Sequence, residues 1–240
     1  MIHIANVSRR GLEHPERNED SFYYNTFDNA IAGGLFDGCS SGRDSYFASK
    51  LFANVFRQTL ENYKSEVYPK NFQHLTYTYF KNLSTAIKLL ELKTEETLST
   101  AILFMYSIDS GELMVKFFGD GVTYVNNDTL EIFSNDEANQ PDYPGYSIDK
   151  LNEKSKFQKY WERKPVFQSV TKDFTILTDG ILSFRKTNEA APDLDIARFL
   201  SSDKFLTGNP AMLKRKTNMI RNKGYEHYDD FTAIRIINAD

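Results

Sequence analysis

Four aspartates carry the chemistry open to this sequence, and each stands where an apolar run begins or ends. Asp37 closes Gly33-Gly34-Leu35-Phe36 and is followed by Gly38. Asp120 follows Phe117-Phe118-Gly119, and Asp179-Gly180 closes Phe174-Thr175-Ile176-Leu177-Thr178. Asp229-Asp230 opens the run Phe231 to Ile237. Carboxylates gathered at one place repel one another and would protonate or spread apart without a counter-charge. Hard divalent cations, Mg²⁺ or Mn²⁺, satisfy such groups with oxygen ligands. The 4 histidines show no paired ligand spacing, which argues against zinc.

Each acid also has a plainer reading. Asp-Gly is a strong hairpin-turn signal. After Asp37-Gly38, however, comes Cys39-Ser40-Ser41-Gly42 and then a helical period, not a returning strand. After Asp179-Gly180 the short run Ile181-Leu182-Ser183-Phe184 gives way to polar residues. At Asp120-Gly121 apolar runs flank both sides, so there the hairpin reading leads, although a turn carboxylate can still bind a metal. Glu19-Asp20 and Asp229-Asp230 also read as solvated charges. Antiparallel neighbours bring the end of one strand beside the start of the next. Asp37, Asp179 and Asp229 can therefore share one rim of a sheet.

The elements that must position these acids follow from periodicity. Residues 2–8, 21–27 and 31–36 read as strands by alternation and by aromatic and β-branched content. From Ser41 the period becomes helical: Phe47, Leu51 and Val55, with Ala48, Phe52, Phe56 and Leu60 beside them. Ser40 or Ser41 can cap this helix. A second helix carries Phe72, Leu75, Tyr79, Leu83, Ala86 and Leu90 on one face, after a break at Pro69 and Asn71. Each is expected to run about six turns. The runs 98–107, 112–118, 122–126 and 129–133 read as an antiparallel meander, and 165–170 with 174–178 as a hairpin-like pair. Ser134–Lys164 is polar and carries Pro141, Pro144 and Gly145, which reads as a long surface excursion or flap. Short helices are expected near 194–200 and at 210–223, and 231–237 as a buried strand. The order is that of an α+β protein, most simply a two-sheet core with helices outside.

The totals narrow the class. A chain of 240 residues is ample for a core, and 19 Phe with 14 Tyr point to a core built from large side chains. A net charge of −4 gives no electrostatic reason to bind nucleic acid or an anionic membrane. One cysteine, Cys39, rules out an intramolecular disulfide and suits a reducing compartment. The N-terminal residues lack a signal-peptide pattern, and no segment is long and apolar enough to span a bilayer. A cytoplasmic protein is expected.

In combination these motifs are more specific than any of them alone. Asn18-Glu19-Asp20-Ser21, Phe36-Asp37-Gly38, Ser99-Thr100-Ala101, Phe118-Gly119-Asp120, Thr178-Asp179-Gly180 and Asp229-Asp230-Phe231-Thr232 occur in that order across residues 1 to about 237. The sequence thereby resembles the metal-dependent Ser/Thr protein phosphatases of the type 2C family, in their bacterial form. The resemblance implies a single domain over 1–240, a central antiparallel β-sandwich flanked by helix pairs in four layers, α-β-β-α. It also implies a binuclear Mn²⁺/Mg²⁺ centre. Asp37 matches the aspartate that bridges both metals and Gly38 the residue that offers its carbonyl. Asp179 and Asp229 match the other ligands of one metal, Glu19 the acid of the second with Asp20 in support, and Asp120 a weaker third-metal position. Residues 134–165 fall where such relatives carry a flap. The implied reaction is attack by a metal-activated water on a phosphoserine or phosphothreonine, with no phosphoenzyme. The implied partner is a phosphorylated protein, the target of a Ser/Thr kinase, met by a monomer.

Two positions depart from the family pattern. Cys39 stands where histidine often follows the Asp-Gly. It can be a small residue in a tight turn, a weak proton donor, or a cysteine nucleophile. The last needs a phosphate cradle and a following arginine, and Cys39-Ser40-Ser41-Gly42-Arg43 is too short for it. The phosphate-binding arginine is expected near Pro15. Arg17 is adjacent in a shifted register and is favoured over Arg9 and Arg10. Two other functions use the same residues: a catalytically weak, phosphatase-like binding module, and a phosphatase of a small phosphoester.

Overall fold

The computed structural model describes residues 1–240 except 15, 41, 43–44, 64–66, 126–128, 134–141, 203–207 and 240, with the backbone alone for 129–133. The strands are β1 (Ile2–Arg9), β2 (Asp20–Thr26), β3 (Ala30–Asp37), β4 (Ala101–Ser107), β5 (Glu112–Phe118), β6 (Gly121–Val125), β7 (Thr129–Phe133), β8 (Val166–Val170), β9 (Asp173–Leu177), β10 (Phe184–Lys186), β11 (Tyr225–His227) and β12 (Phe231–Asn238). The helices are α1 (Ser45–Asn62), α2 (Phe72–Leu89), α3 (Ile148–Leu151), α4 (Lys154–Arg163), α5 (Ile196–Ser201) and α6 (Met212–Asn222). Among the described residues the strands form two five-stranded sheets, β1-β12-β9-β6-β7 and β2-β3-β4-β5-β8, and a β10-β11 ribbon. This is an α+β protein with antiparallel sheets, as the element order implies.

The chain divides into two compact units. One comprises 19–120 and 133–170. Its sheet is antiparallel throughout, and β3 lies inside it between β2 and β4. Ala30–Phe36 is buried on both faces, and α1 packs against it. Helix α1 packs on β2 and β3, and α2 packs on α1. The core is a run of aromatic contacts. Phe36 meets Phe56 at 5.9 Å, Phe56 meets Tyr79 at 5.2 Å, Tyr79 meets Phe80 at 5.0 Å and Phe80 meets Phe118 at 4.9 Å. Such ring pairs contribute about 0.5–1.5 kcal/mol each beyond their buried area.

The other unit comprises 1–18, 121–132 and 171–240. Here β12 is an inner strand, antiparallel to β1 along its whole length and to β9 on its other side. Its core gathers Val7, Leu177, Leu200, Leu213, Ile220 and Phe231. At its centre the fully buried Arg235 donates from Nε to Asp173 at 2.9 Å and from Nη1 to the Ser202 carbonyl at 2.6 Å.

Several expectations need correction. Residues 98–133 are not one meander: β5 pairs with β4 and β8, whereas β6 pairs with β9. Asp120-Gly121 is therefore a crossing from one sheet to the other and not a hairpin, and Gly119 before it takes a positive φ of 105°. The pair β8 and β9 is likewise split, since β8 pairs with β5 and β9 with β12 and β6. The 142–164 part of the expected flap is largely helical. Ile148, Leu151, Phe157 and Tyr160 from α3 and α4 belong to the first unit's core, and 134–141 lie outside the described residues. Helices α1 and α2 have 18 residues each, five turns at 3.6 per turn. Because α1 starts at Ser45, Ser40 is too far upstream to cap it, and Ser41 lies outside the described residues.

Candidate functional site

In the first unit the acids gather where β2 and β3 meet. Asp20 and Asp37 are direct partners in the β2–β3 register, so their side chains leave the same face. Asp20 is 1% exposed, whereas Asp37 is half-buried. Beyond the strand the chain stays zipped. The Asp37 N–H donates to Thr100 Oγ1 at 3.1 Å, and the Thr100 N–H donates back to the Asp37 carbonyl at 2.8 Å. Gly38 bridges Ser99 and donates its N–H to the Glu19 carbonyl at 3.2 Å, and the Cys39 N–H donates to the Leu98 carbonyl at 3.0 Å. A Cβ on Gly38 would stand 2.3 Å from the Ser45 carbonyl oxygen, so the first residue of α1 sits where only a glycine leaves room. The Asp-Gly pair is thus a strand end fixed on both sides.

Tyr143 is the residue that sequence reasoning missed. It is 7% exposed, and its hydroxyl pKa is pushed far above the ordinary tyrosine value. Burial is the largest cause, followed by a hydrogen bond with Cys39 and by the charges of Cys39, Asp37 and Asp120. Tyr143 is therefore neutral and stands close enough to feel Asp37 and Asp120 together. The segment that brings it there is anchored by Gly145, whose Cβ would meet the Thr97 carbonyl at 2.5 Å. Nothing local marked Tyr143 in a polar, proline-rich stretch. Cys39, half-buried, is its hydrogen-bond partner.

The second unit holds Asp179, Asp229 and Asp230. Asp179 begins a 3-10 turn, Asp179–Ser183, directly after β9. Gly180 lies under Asp230: a Cβ there would be 1.8 Å from the Asp230 carbonyl oxygen. Ser183 Oγ donates to the Gly180 carbonyl at 2.7 Å and accepts the Asp229 N–H at 3.0 Å, which ties the two acidic segments together. Thr178 and Thr232 also exchange hydrogen bonds at 3.0 and 2.9 Å.

The two acids of Asp229-Asp230 have separate surroundings. Asp230 is buried, accepting the Gly11 N–H at 2.6 Å and meeting His14 Nδ1 at 2.8 Å. Asp229 has a side chain 40% exposed, with Oδ1 accepting the Asp230 N–H at 2.8 Å and lying 3.5 Å from His14 Nε2. His14 is the second residue that sequence reasoning missed, because its partners lie more than 200 residues away. Of the candidate arginines, Arg17 is exposed on the loop before β2, and Arg9 donates to Asn218 Oδ1 at 3.3 Å.

The donors are hard oxygens throughout, and like charges directly opposite on a strand pair, such as Asp20 and Asp37, destabilise a sheet until a cation offsets them. In kind, these residues fit Mg²⁺ or Mn²⁺. Among the described residues no three Asp, Glu, His or Cys side chains stand together in metal-ligand geometry.

No protein-family profile matches the sequence, and no curated protein matches it. Solved structures do. The serine/threonine phosphatase Stp1 from Staphylococcus aureus matches with a TM-score of 0.66 at 12% identity, over 100% of this chain and 96% of that one. RsbX, solved in complex with magnesium, gives 0.56 at 14% identity, over 98% and 94%. The PP2C phosphatase domain of SpoIIE from Bacillus subtilis, with a fragment of its regulatory domain, gives 0.58 at 14% identity. That match takes in 99% of this chain and only 63% of that longer chain. The chain has a PP2C-like phosphatase fold.

Proposed function

We propose that this protein is a divalent-metal-dependent phosphoprotein phosphatase acting on phosphoserine and phosphothreonine. Its metal ligands in this reading are Glu19, Asp20, Asp37, the Gly38 carbonyl, Asp179 and Asp229, with Asp120 at a third-ion position. The observation that carries it is the register opposition of Asp20 and Asp37 at the strand end that Gly38 terminates, within a PP2C-like fold. When bound, Mn²⁺ or Mg²⁺ would supply water activation near neutral pH and charge neutralisation at the phosphoryl oxygens.

The chain's own residues supply preorganisation. Asp37 and Gly38 are held by hydrogen bonds to Thr100, Ser99 and Glu19, so little rearrangement accompanies ligand binding. The Asp179 turn is pinned by Ser183 to Asp229. Tyr143 keeps a neutral hydroxyl beside Asp37 and Asp120, since burial and those charges oppose its ionisation. Arg17 is the proposed phosphate contact, and its exposure leaves it accessible to a protein substrate. The proposed substrate is the product of a Ser/Thr kinase and the proposed form a monomer in the cytoplasm. Support for that location is the one cysteine and the absence, among the described residues, of a helix long and apolar enough to cross a membrane.

Turnover of an aryl phosphate and of a phosphothreonine peptide with Mn²⁺, with and without chelator and in Asp179→Asn, tests this reading. Activity lost with chelator and in the variant is expected. Metal-independent turnover, or a variant as active as the wild type, would sink it. One observation favours a second reading, a catalytically weak binding module: the Asp229 carboxylate already accepts the Asp230 N–H and faces His14. Metal binding without turnover on any phosphoester would select it.

A further inference from the structure

Helices α3 and α4 line an open groove of about 550 Å³ whose charged residues are Lys150, Lys156, Lys159, Arg163 and one acid, Glu162. On α4 the cations recur at spacings of three and four residues, which puts them on one face. The floor is rigid. Tyr160 is 2% exposed and stacks on Phe118 at 5.6 Å, and Leu151 is 1% exposed. Within the groove Lys156 is neutralised by Glu153 at 2.7 Å, and Glu162 accepts a hydrogen bond from Gln158 at 2.7 Å. Lys150, Lys159 and Arg163 are exposed and form no ion pair among the described residues. In a chain of net charge −4, the groove sets three cations without an ion-pair partner against the single acid Glu162. Like charges at helical spacing also repel, so the arrangement favours an anion between them.

We propose that the α3–α4 groove docks an acidic peptide segment of a partner protein through Lys150, Lys159 and Arg163. Charge complementarity sets the sign of the occupant. Its size follows from the volume, which suits a few side chains, and from the confinement of the cations to two short helices. A nucleic acid needs a longer basic track to meet successive phosphates. The two long, flexible cations and the forked guanidinium suit carboxylates or phosphate groups alike. The groove does not depend on metal chemistry; under the phosphatase reading it would select acidic phosphoproteins.

Fluorescence anisotropy on the full chain tests it, with a fluorescein-labelled ten-residue Glu/Ser peptide, the same peptide with Gln for Glu, and a ten-nucleotide oligo-dA. The Glu/Ser peptide is expected to bind, and the Gln peptide to bind at least tenfold more weakly. Lys159→Glu/Arg163→Glu should weaken the Glu/Ser peptide at least tenfold while leaving aryl phosphate turnover unchanged. The milder Lys159→Gln/Arg163→Gln pair guards against misfolding and should weaken it in the same direction. Asp37→Asn should leave peptide affinity unchanged, which separates this groove from the carboxylate site. No binding of the Glu/Ser peptide, equal binding of the Gln peptide, full affinity in both double variants, tighter binding of the oligonucleotide, or loss in Asp37→Asn would each overturn the proposal.

Discussion

His14 Nδ1 lies 2.8 Å from the buried Asp230 carboxylate, joining the loop after β1 to the strand that closes the chain. The same carboxylate accepts the Gly11 N–H at 2.6 Å. Asp230 is therefore a fastener for the Gly11–His14 loop, while its half-exposed neighbour Asp229 is the acid left facing outward. Removing a buried acceptor strands its donors, at about 1–3 kcal/mol. Asp230→Ala should lose about that much in urea melts. Asp229→Asn should change stability by no more than about 0.5 kcal/mol, yet lower turnover by about a hundredfold. Equal stability losses in the two variants would contradict this division.

Metal binding should be visible without any assay of turnover. A ligand that binds only the folded state at a hundredfold excess over its Kd stabilises by about 2.7 kcal/mol. Mn²⁺ titration should therefore raise the wild-type melting temperature by several degrees. Asp37→Asn should abolish most of that rise, while its melting temperature without metal stays equal to or above the wild type, because one of two opposed carboxylates is gone. A Mn²⁺ response that survives in Asp37→Asn would remove that residue from the ligand set.

Gly38 is a packing requirement that a methyl group can test. Its Cβ would fall 2.3 Å from the Ser45 carbonyl oxygen, which belongs to the first turn of α1. Gly38→Ala should cost about 1–3 kcal/mol through displacement of that turn, with loss of Mn²⁺-induced stabilisation. The chain tolerating it at full stability would mean that α1 shifts freely at its start.

A buried lysine gives a pH signature. Burial, and after it the charge of Lys164, lowers the Lys116 pKa to about 8, while its ammonium donates to the Lys164 carbonyl at 2.6 Å and lies 4.4 Å from the Trp161 ring centre. The unfolded chain holds that proton to about pH 10.4. Below pH 8 both states are protonated and the folded one bears the whole desolvation cost. Between pH 8 and about 10 the unfolded state binds more protons, so this group's contribution to stability rises with pH. The stability difference between wild type and Lys116→Met should move in the wild type's favour by about 1–2 kcal/mol from pH 7.5 to 9.5, at 1.4 kcal/mol per unit. Urea melts of both proteins at the two pH values measure it, and a constant difference would contradict it.

The legible parts of the fold were those whose own residues dictate them. Ala30–Phe36 is apolar at successive positions because its strand is covered on both faces, and Phe72 to Ile87 repeats at helical spacing because one face of α2 is buried. Asp37 and Asp179 were readable as strand-end acids because the residues after each cannot form a returning strand. What escaped was pairing at long range. Asp120-Gly121 has the local chemistry of a hairpin, and only the pairing of β6 with β9 shows that the chain crosses to another sheet. Helix α4 hid because just Phe157, Tyr160 and Trp161 mark its inner face in ten otherwise polar residues. Tyr143 and His14 had no signal at all, since each acquires its meaning from partners across the fold.

The place of β12 between β1 and β9 bears on the order in which the molecule can form during synthesis. Strands β2, β3 and β4 each pair with their successor, so most of their sheet can assemble as it emerges. By contrast β1, made first, must wait for β12, with Ile2 opposite Asn238. Closing that distance is slow, because chain entropy is lost before contacts repay it. Pulse-labelled hydrogen exchange during refolding should find β3 and β4 amides protected before those of β1. The newborn chain would then carry Asp37 on a finished sheet while Asp229 still awaits its strand.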